Sequence, residues 1–254
     1  MKSPVHKTTI GKLKVEVSPE RETMGKSAAE YVGNQIKKVA SEKGHVRVIF
    51  ASAVSQQEFL SELLMIDDIP WEKITAFHMD EYHMLPADAP QRFGNFLKKH
   101  LFRHKRFGEV HYMENDLQNY ARLINEAPID IACLGIGENG HLAFNDPPVA
   151  DFNDPETTKE VKLDEICRQQ QVNDGAFSQI DDVPETAVTL TIPALIKTEF
   201  LSVVVPGATK AKAVAYTLFH PISTEWPSTI LREHPYAKLF LDTHSAKNIL
   251  EKIT

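Results

Sequence analysis

Short, almost wholly apolar runs alternate along the chain with longer stretches whose apolar positions recur every three or four residues, the signatures of buried strands and amphipathic helices. Ser18-Pro19-Glu20 reads as an N-cap with proline at the first helical position, and a helix is predicted from there to about Glu42, with Gly44 as its C-cap. His45–Ala51 reads as a strand and Gln56–Met65 as a helix; Lys73–Met79 reads as a strand and Phe93–Phe102 as a helix. A short strand at Glu109–Met113 and a helix at Asp116–Asn125 lead to Ile129–Leu134, a continuous apolar strand of the kind covered on both faces. A further strand falls within Val183–Pro193, then a strand at Phe200–Val205, a helix at Thr209–Phe219, a strand at Ala237–Asp242 and a terminal helix. Such alternation predicts one α/β domain over residues 1–254, a mostly parallel twisted sheet flanked by helices in the Rossmann-like manner. Residues 145–173 break the rhythm: polar and rich in Asp and Pro, they are the segment expected to form a lid.

Composition narrows the partners. A net charge of −7 repels nucleic acid and anionic membrane alike, so neither is expected, while a local pocket can still take a small anion. The two cysteines, Cys133 and Cys167, make no disulfide framework. Met1–Gly11 is basic without an apolar core, and no run approaches bilayer length, so a cytoplasmic protein is expected.

In a parallel sheet, ligands gather beyond the carboxyl ends of the strands, and four unusual segments lie there. His78-Met79-Asp80-Glu81-Tyr82 offers a carboxylate able to take a proton from a carbon beside a carbonyl. Its two adjacent acids point different ways, so at most one is expected in a cleft. Gly135-Ile136-Gly137-Glu138-Asn139-Gly140-His141 satisfies G-x-G-x-x-G, but Phe144-Asn145-Asp146-Pro147-Pro148 stops any long helix after it. It reads as a glycine-rich ligand loop, Gly135, Gly137 and Gly140 letting backbone approach while His141 is presented for acid–base work, rather than as a dinucleotide site. Ser52 and Ser55 sit before a helix, where hydroxyls suit an anion such as phosphate or simply cap the helix. Lys210, after Pro206-Gly207, opposes the helix macrodipole unless an anion shares the site. No metal is expected: His100 and His104 lie in a basic run, and His78 and His83 merely bracket Asp80 and Glu81.

Taken together these segments resemble the glucosamine-6-phosphate deaminase/isomerase family, in the same order over nearly the whole chain. HMDEYHML (His78–Leu85) is similar to the family's N-M-D-E-Y-x-G-L, and GIGENGHLAFNDP (Gly135–Pro147) to its G-x-G-x-D-G-H-I-A-F-N-E-P. VVPGATKAKAV (Val204–Val214) and WPSTILREHP (Trp226–Pro235) match two further segments. The resemblance implies an enzyme without metal or organic cofactor, acting on a phosphorylated amino sugar. Asp80 would move a proton between C2 and C1, and His141, helped by Asn139 and Asp146, would open the sugar ring. Lys210, Ser52 and Ser55 would hold the phosphate, and Arg168 and Asn173 both stand near the place of the family's lid arginine, which has no clean match. A homo-oligomer, trimer or hexamer, is implied as well.

Three departures qualify what is carried over. Asn139 stands where the family has aspartate, which removes the carboxylate expected to orient His141, and Asp146 is one methylene shorter than the family's glutamate. Val54 replaces a glycine of the phosphate loop. The altered relay leaves another hexosamine phosphate, such as galactosamine 6-phosphate, as an alternative substrate. A 6-phosphogluconolactonase-like hydrolase and a non-catalytic sugar-phosphate sensor are the other readings.

Overall fold

Residues 6–114 and 116–253 are described by the computed structural model. The chain opens with a hairpin, β1 (His6–Ile10) and β2 (Leu13–Ser18), followed by α1 (Arg21–Lys43), β3 (Val46–Phe50), α2 (Gln57–Leu64), β4 (Ile74–His78) and the short β5 (Asp80–Tyr82). Then come α3 (Phe93–His100), β6 (Glu109–Val110), α4 (Leu117–Asn125), β7 (Ile131–Leu134), β8 (Thr158–Lys162) and α5 (Glu165–Asn173). The remainder is β9 (Thr186–Leu190), α6 (Ile192–Ile196), β10 (Phe200–Val205), α7 (Ala211–Phe219), β11 (Ala237–Asp242) and α8 (Leu250–Ile253).

Eight strands make the main sheet in the order β1-β2-β11-β10-β7-β3-β4-β6, parallel except for the β1–β2 hairpin. Its middle strands β3, β4, β7 and β10 are buried along their whole length, which is why they read as unbroken apolar runs. Separate apolar clusters cover the two faces, one built with α1 and α2 and the other with α4 and α7. From β3 the chain steps outward to β4 and β6; it then returns to β7, on the opposite flank of β3, and steps the other way to β10 and β11. The reversal between β3 and β7 opens a crevice at their carboxyl ends, the place where such sheets take ligands. Register levels the exits: Phe50 pairs with both His78 and Cys133, so the loops after β3, β4 and β7 leave at one height.

Differences from expectation have local causes. The first helix starts at Arg21 with Glu20 as N-cap residue and no side-chain cap bond, leaving Pro19 outside it. Lys210 lies in a single 3-10 turn, Ala208–Lys210, ahead of α7 rather than in its first turn. Residues 145–173, expected as a lid, contain β8 and α5, and β8 pairs antiparallel with β9, which pairs with β5. This three-stranded sheet sits over its own small apolar cluster with Tyr82, Phe144 and Cys167. Among the described residues, no helix is long and apolar enough to cross a membrane.

Candidate active site

A cavity of about 390 Å³ opens at the crevice, lined by the loop after β3, by Met79 and Asp80 after β4, by Gly135, Gly137 and His141 after β7, by Lys210, and by Gln170, Gln171 and Asp174 of α5 and its C-terminal end. Asp80, His141 and Lys210, read from three separate motifs, therefore face one space.

The adjacent acids divide their work. Glu81 turns away from the cavity and accepts hydrogen bonds from the backbone N–H groups of Tyr82 (2.9 Å), Phe93 (3.0 Å) and Gly94 (3.0 Å), with Arg92 at 3.5 Å. It is the cap of α3, an acid at the positive end of the helix dipole. Asp80 faces the cavity, and its carboxylate has no hydrogen-bond or ion-pair partner among the described residues. Burial, with Glu81 and Asp146 adding like charge, pushes its carboxyl well above the ordinary aspartate range, which suits a proton acceptor. His78 fixes its main chain. The His78 Nε2 accepts the N–H of Met113 at 2.7 Å, so the proton sits on Nδ1 and is donated to the Asp80 carbonyl at 2.9 Å. Burial holds this imidazole neutral, its pKa down at about 4.

The glycines of the β7 loop are there for close approach. A Cβ on Gly137 would meet the His141 ring at 2.2–2.3 Å, so only glycine leaves the imidazole its seat. On Gly135 it would come within 3.3 Å of the Gln56 amide, and Gly140, at φ +82°, packs against Trp226. The orienting carboxylate for His141, expected to be missing, is Asp146: its Oδ1 lies 2.8 Å from His141 Nδ1, a contact that becomes an ion pair when the imidazole takes a proton. Burial opposes ionisation of Asp146, but the contact with His141 and the amide of Asn139 hold its carboxyl below the usual range. The shorter side chain still reaches because the chain turns back sharply at Leu142–Asn145, through a bridge between those two residues.

The Cys167 thiol lies in the same corner, and His141, Asp146 and Cys167 bring nitrogen, oxygen and sulfur atoms within 4.8 Å of one another. Such donors bind zinc when free. Here Asp146 is already engaged by the imidazole, by Asn139 and by the thiol, and burial beside two carboxylates keeps that thiol protonated. The trio's donors are taken up by one another and by Asn139, and the chemistry proposed for the site uses no metal.

At the other end of the cavity, Lys210 is 5% exposed and has no hydrogen-bond or ion-pair partner among the described residues. Burial lowers its pKa, and Asp174 and Glu138 only partly offset this from a distance. Around it, Ser52 Oγ and Gln56 Oε1 are buried without hydrogen-bond partners among the described residues, while Gln56 Nε2 is anchored to the Val204 carbonyl at 3.1 Å and to Ser55 Oγ at 3.4 Å. Arg168 is not with them. Its guanidinium donates to the carbonyls of Ile180 (2.8 Å) and Val183 (3.0 and 3.3 Å) beside a separate depression, because position 168 falls on the outer face of α5. The inner face presents Gln170 and Gln171, and Asp174 follows, residues that the sequence reading did not assign and that only the helix phase identifies.

The site geometry and the sequence agree on kinship. The sequence profile of the glucosamine-6-phosphate isomerase/6-phosphogluconolactonase family matches residues 19–240. A glucosamine-6-phosphate deaminase of Lactobacillus acidophilus is 32% identical over 83% of this chain and 89% of its own. One of Halothermothrix orenii is 30% identical over 92% and 99%. Among solved structures, a monomeric glucosamine-6-phosphate deaminase superposes with a TM-score of 0.84 at 26% identity, covering 92% of this chain and 99% of that one. The 6-phosphogluconolactonase of Thermotoga maritima reaches 0.73 at 20% identity over 91% and 99%, a likeness of fold. The chain belongs to the glucosamine-6-phosphate isomerase/6-phosphogluconolactonase family.

Proposed function

We propose that this protein converts glucosamine 6-phosphate and water to fructose 6-phosphate and ammonia. The observation that carries the reading is the pair of buried, unpartnered charges on one cavity, Asp80 as a base and Lys210 as an anion anchor, with the His141–Asp146 pair between the loops. Lys210 and the Ser52–Gln56 loop take the 6-phosphate. His141 accepts the proton of the C1 hydroxyl and delivers one to the ring oxygen, which opens the pyranose to the aldehyde; Asp146 stabilises the imidazolium that forms in passing. Asp80 removes the C2 proton while the aldehyde oxygen takes a proton from the substrate's C2 ammonium, which gives the enolamine. Reprotonation at C1 leaves a C2 imine, which water hydrolyses to the ketone with release of ammonia. Asp80's raised pKa favours removal of the C2 proton, since a stronger base is better matched to a weakly acidic carbon.

The test is turnover by the purified protein of glucosamine 6-phosphate, galactosamine 6-phosphate and 6-phosphogluconolactone, following ammonia and ketose. Ammonia and fructose 6-phosphate from the first, with solvent deuterium entering C1, is the expected result. Ammonia only from the galacto sugar would move the substrate and leave the chemistry. Hydrolysis of the lactone without ammonia from either amine would overturn the proposal.

A further inference from the structure

Asn139 occupies the place where the resemblance puts an acid, yet the structure gives it different work. Its amide is caught between two carboxylates: Nδ2 donates to Asp146 Oδ1 at 3.0 Å and to Asp164 Oδ2 at 3.0 Å, while Oδ1 accepts the backbone N–H of His141 at 3.1 Å. All three partners agree on which end of the amide is nitrogen, because reversing it would set oxygen against two carboxylates and leave the His141 N–H unmet. Asp164 is equally committed. It is the N-cap of α5, Oδ1 accepting the Cys167 N–H at 2.6 Å, and its other oxygen is the one that holds Asn139. A second tie lies more than a turn further along α5, where Gln170 Oε1 accepts the N–H of Glu138 at 2.8 Å. The loop carrying His141 is thus pinned to the helix whose Gln170 and Gln171 line the cavity.

Resting on the function proposed above, we propose that Asn139 and Asp164 are a positioning pair. Asn139 moves no proton; it steers Asp146 onto His141 Nδ1 and ties that ion pair to α5, with Asp164 as the anchor. The identity of residue 139 is then coupled to that of residue 164. With an acid at 164, an acid at 139 would bring three carboxylates around one point, where one must take a proton or the loop must leave the helix. The departure from the family's aspartate therefore does not open a gap in a relay. It goes with an anchoring acid on the neighbouring helix.

Asparagine caps helices as well as aspartate does, so Asp164→Asn keeps the start of α5 while turning an NH₂ toward the Asn139 NH₂. This substitution is expected to lower the melting temperature by only a few degrees, to leave the Michaelis constant nearly unchanged and to lower kcat about tenfold, the worth of one hydrogen bond to a charged group. Asn139→Asp alone is expected to cost about a hundredfold in kcat, through like charge as well as a lost donor. In the double variant the NH₂ of the new asparagine meets the new carboxylate, and kcat is expected to recover at least tenfold over Asn139→Asp. The ¹⁵N resonances of His141 provide a readout independent of turnover: the Nδ1 signal moves in each single variant and returns toward wild type in the double. Two results would overturn the pair: single-variant losses that simply multiply in the double, or an Nδ1 signal indifferent to Asp164→Asn. If wild type turned over no sugar at all, the function would fall while the His141 spectra still decided the coupling.

Discussion

Lys210→Met makes two opposite demands on one residue. The lysine stem is enclosed and its ammonium lies in the cavity without a partner, so methionine keeps most of the packing and deletes the charge. In the unliganded protein this removes a desolvated cation. The sign follows from its pKa, which burial depresses: the folded chain favours the neutral amine, so at neutral pH the protonated form detracts from stability. Relieving such a functional site is worth about 1–2 kcal/mol, and in a chain of this length each kcal/mol moves the melting temperature about 2–4 °C. The variant should therefore melt about 2–8 °C higher at pH 7. The gap should narrow as pH rises through the depressed pKa and close above the ordinary lysine value of about 10.4, where the wild-type amine is neutral in both states. Ligand reverses the order. A charge-assisted bond to phosphate contributes about 1.5–3 kcal/mol, so the dissociation constant for glucosamine 6-phosphate should rise about 10- to 150-fold. At a concentration 100 times the wild-type constant, wild type gains about 2.7 kcal/mol and a variant weakened a hundredfold gains about 0.4 kcal/mol. Differential scanning fluorimetry with and without the sugar phosphate, in the Asp80→Asn background to prevent turnover, reads both effects. A Lys210→Met chain that is less stable when free, or that keeps the full ligand shift, would refute the assignment of this lysine to the anion.

Asp80→Asn is expected to abolish ammonia release while substrate binding, measured by calorimetry, stays within a few fold, since the shape is kept and the base is lost. Because the folded-state pKa of Asp80 is raised, its contribution to stability is complete below the unfolded value of about 3.9 and is lost as pH rises through the folded one. The asparagine variant should thus gain stability over wild type from acid to neutral pH, and wild-type kcat/KM should fall on the acid side at a pH above the ordinary aspartate range. Gly137→Ala places a methyl 2.2–2.3 Å from the His141 ring and should cut kcat about a hundredfold with little change in phosphate affinity; an unaltered kcat would show that the imidazole position does not matter.

Much of this site was legible because its residues sit in segments whose strand-end position the hydrophobic pattern fixes. Apolar runs such as Phe200–Val205 and Ala237–Asp242 are strands with the predicted bounds, since buried parallel strands admit little else. What the pattern did not reveal lies where local sequence is ambiguous. β8 (TKEVK) is polar on its open face, and β5 is three residues long, so neither carries a period. Position alone did not separate Asp80 from Glu81; the resemblance pointed to Asp80, and α3 supplies the helix terminus that occupies the second acid. Arg168 was misplaced for a related reason: the resemblance pointed only to the neighbourhood of Arg168 and Asn173, and helix phase alone decides which face each residue takes. Asp164 had a visible signal, an aspartate three residues before Cys167 at a helix start, yet its second oxygen bonds to a loop 25 residues earlier, which no spacing rule reaches.

The cavity also explains how a chain of net charge −7 can select an anion. Its two working charges are each held in their less favourable form, Asp80 by burial among other acids and Lys210 by burial without a counterion. Neither can relax onto the other's neighbours: Asp80 has Glu81 and Asp146 beside it, and Lys210 has only the distant Asp174 and Glu138. A bound sugar phosphate supplies what is missing at both ends, an anion for the ammonium and an acidic carbon for the carboxylate. A free inorganic phosphate supplies only the first. At equal concentration substrate should therefore stabilise the fold by more than phosphate, in wild type and in Asp80→Asn alike, because Asp80 acts on the sugar in the transition state while the ground-state complex is held by the rest of the cavity.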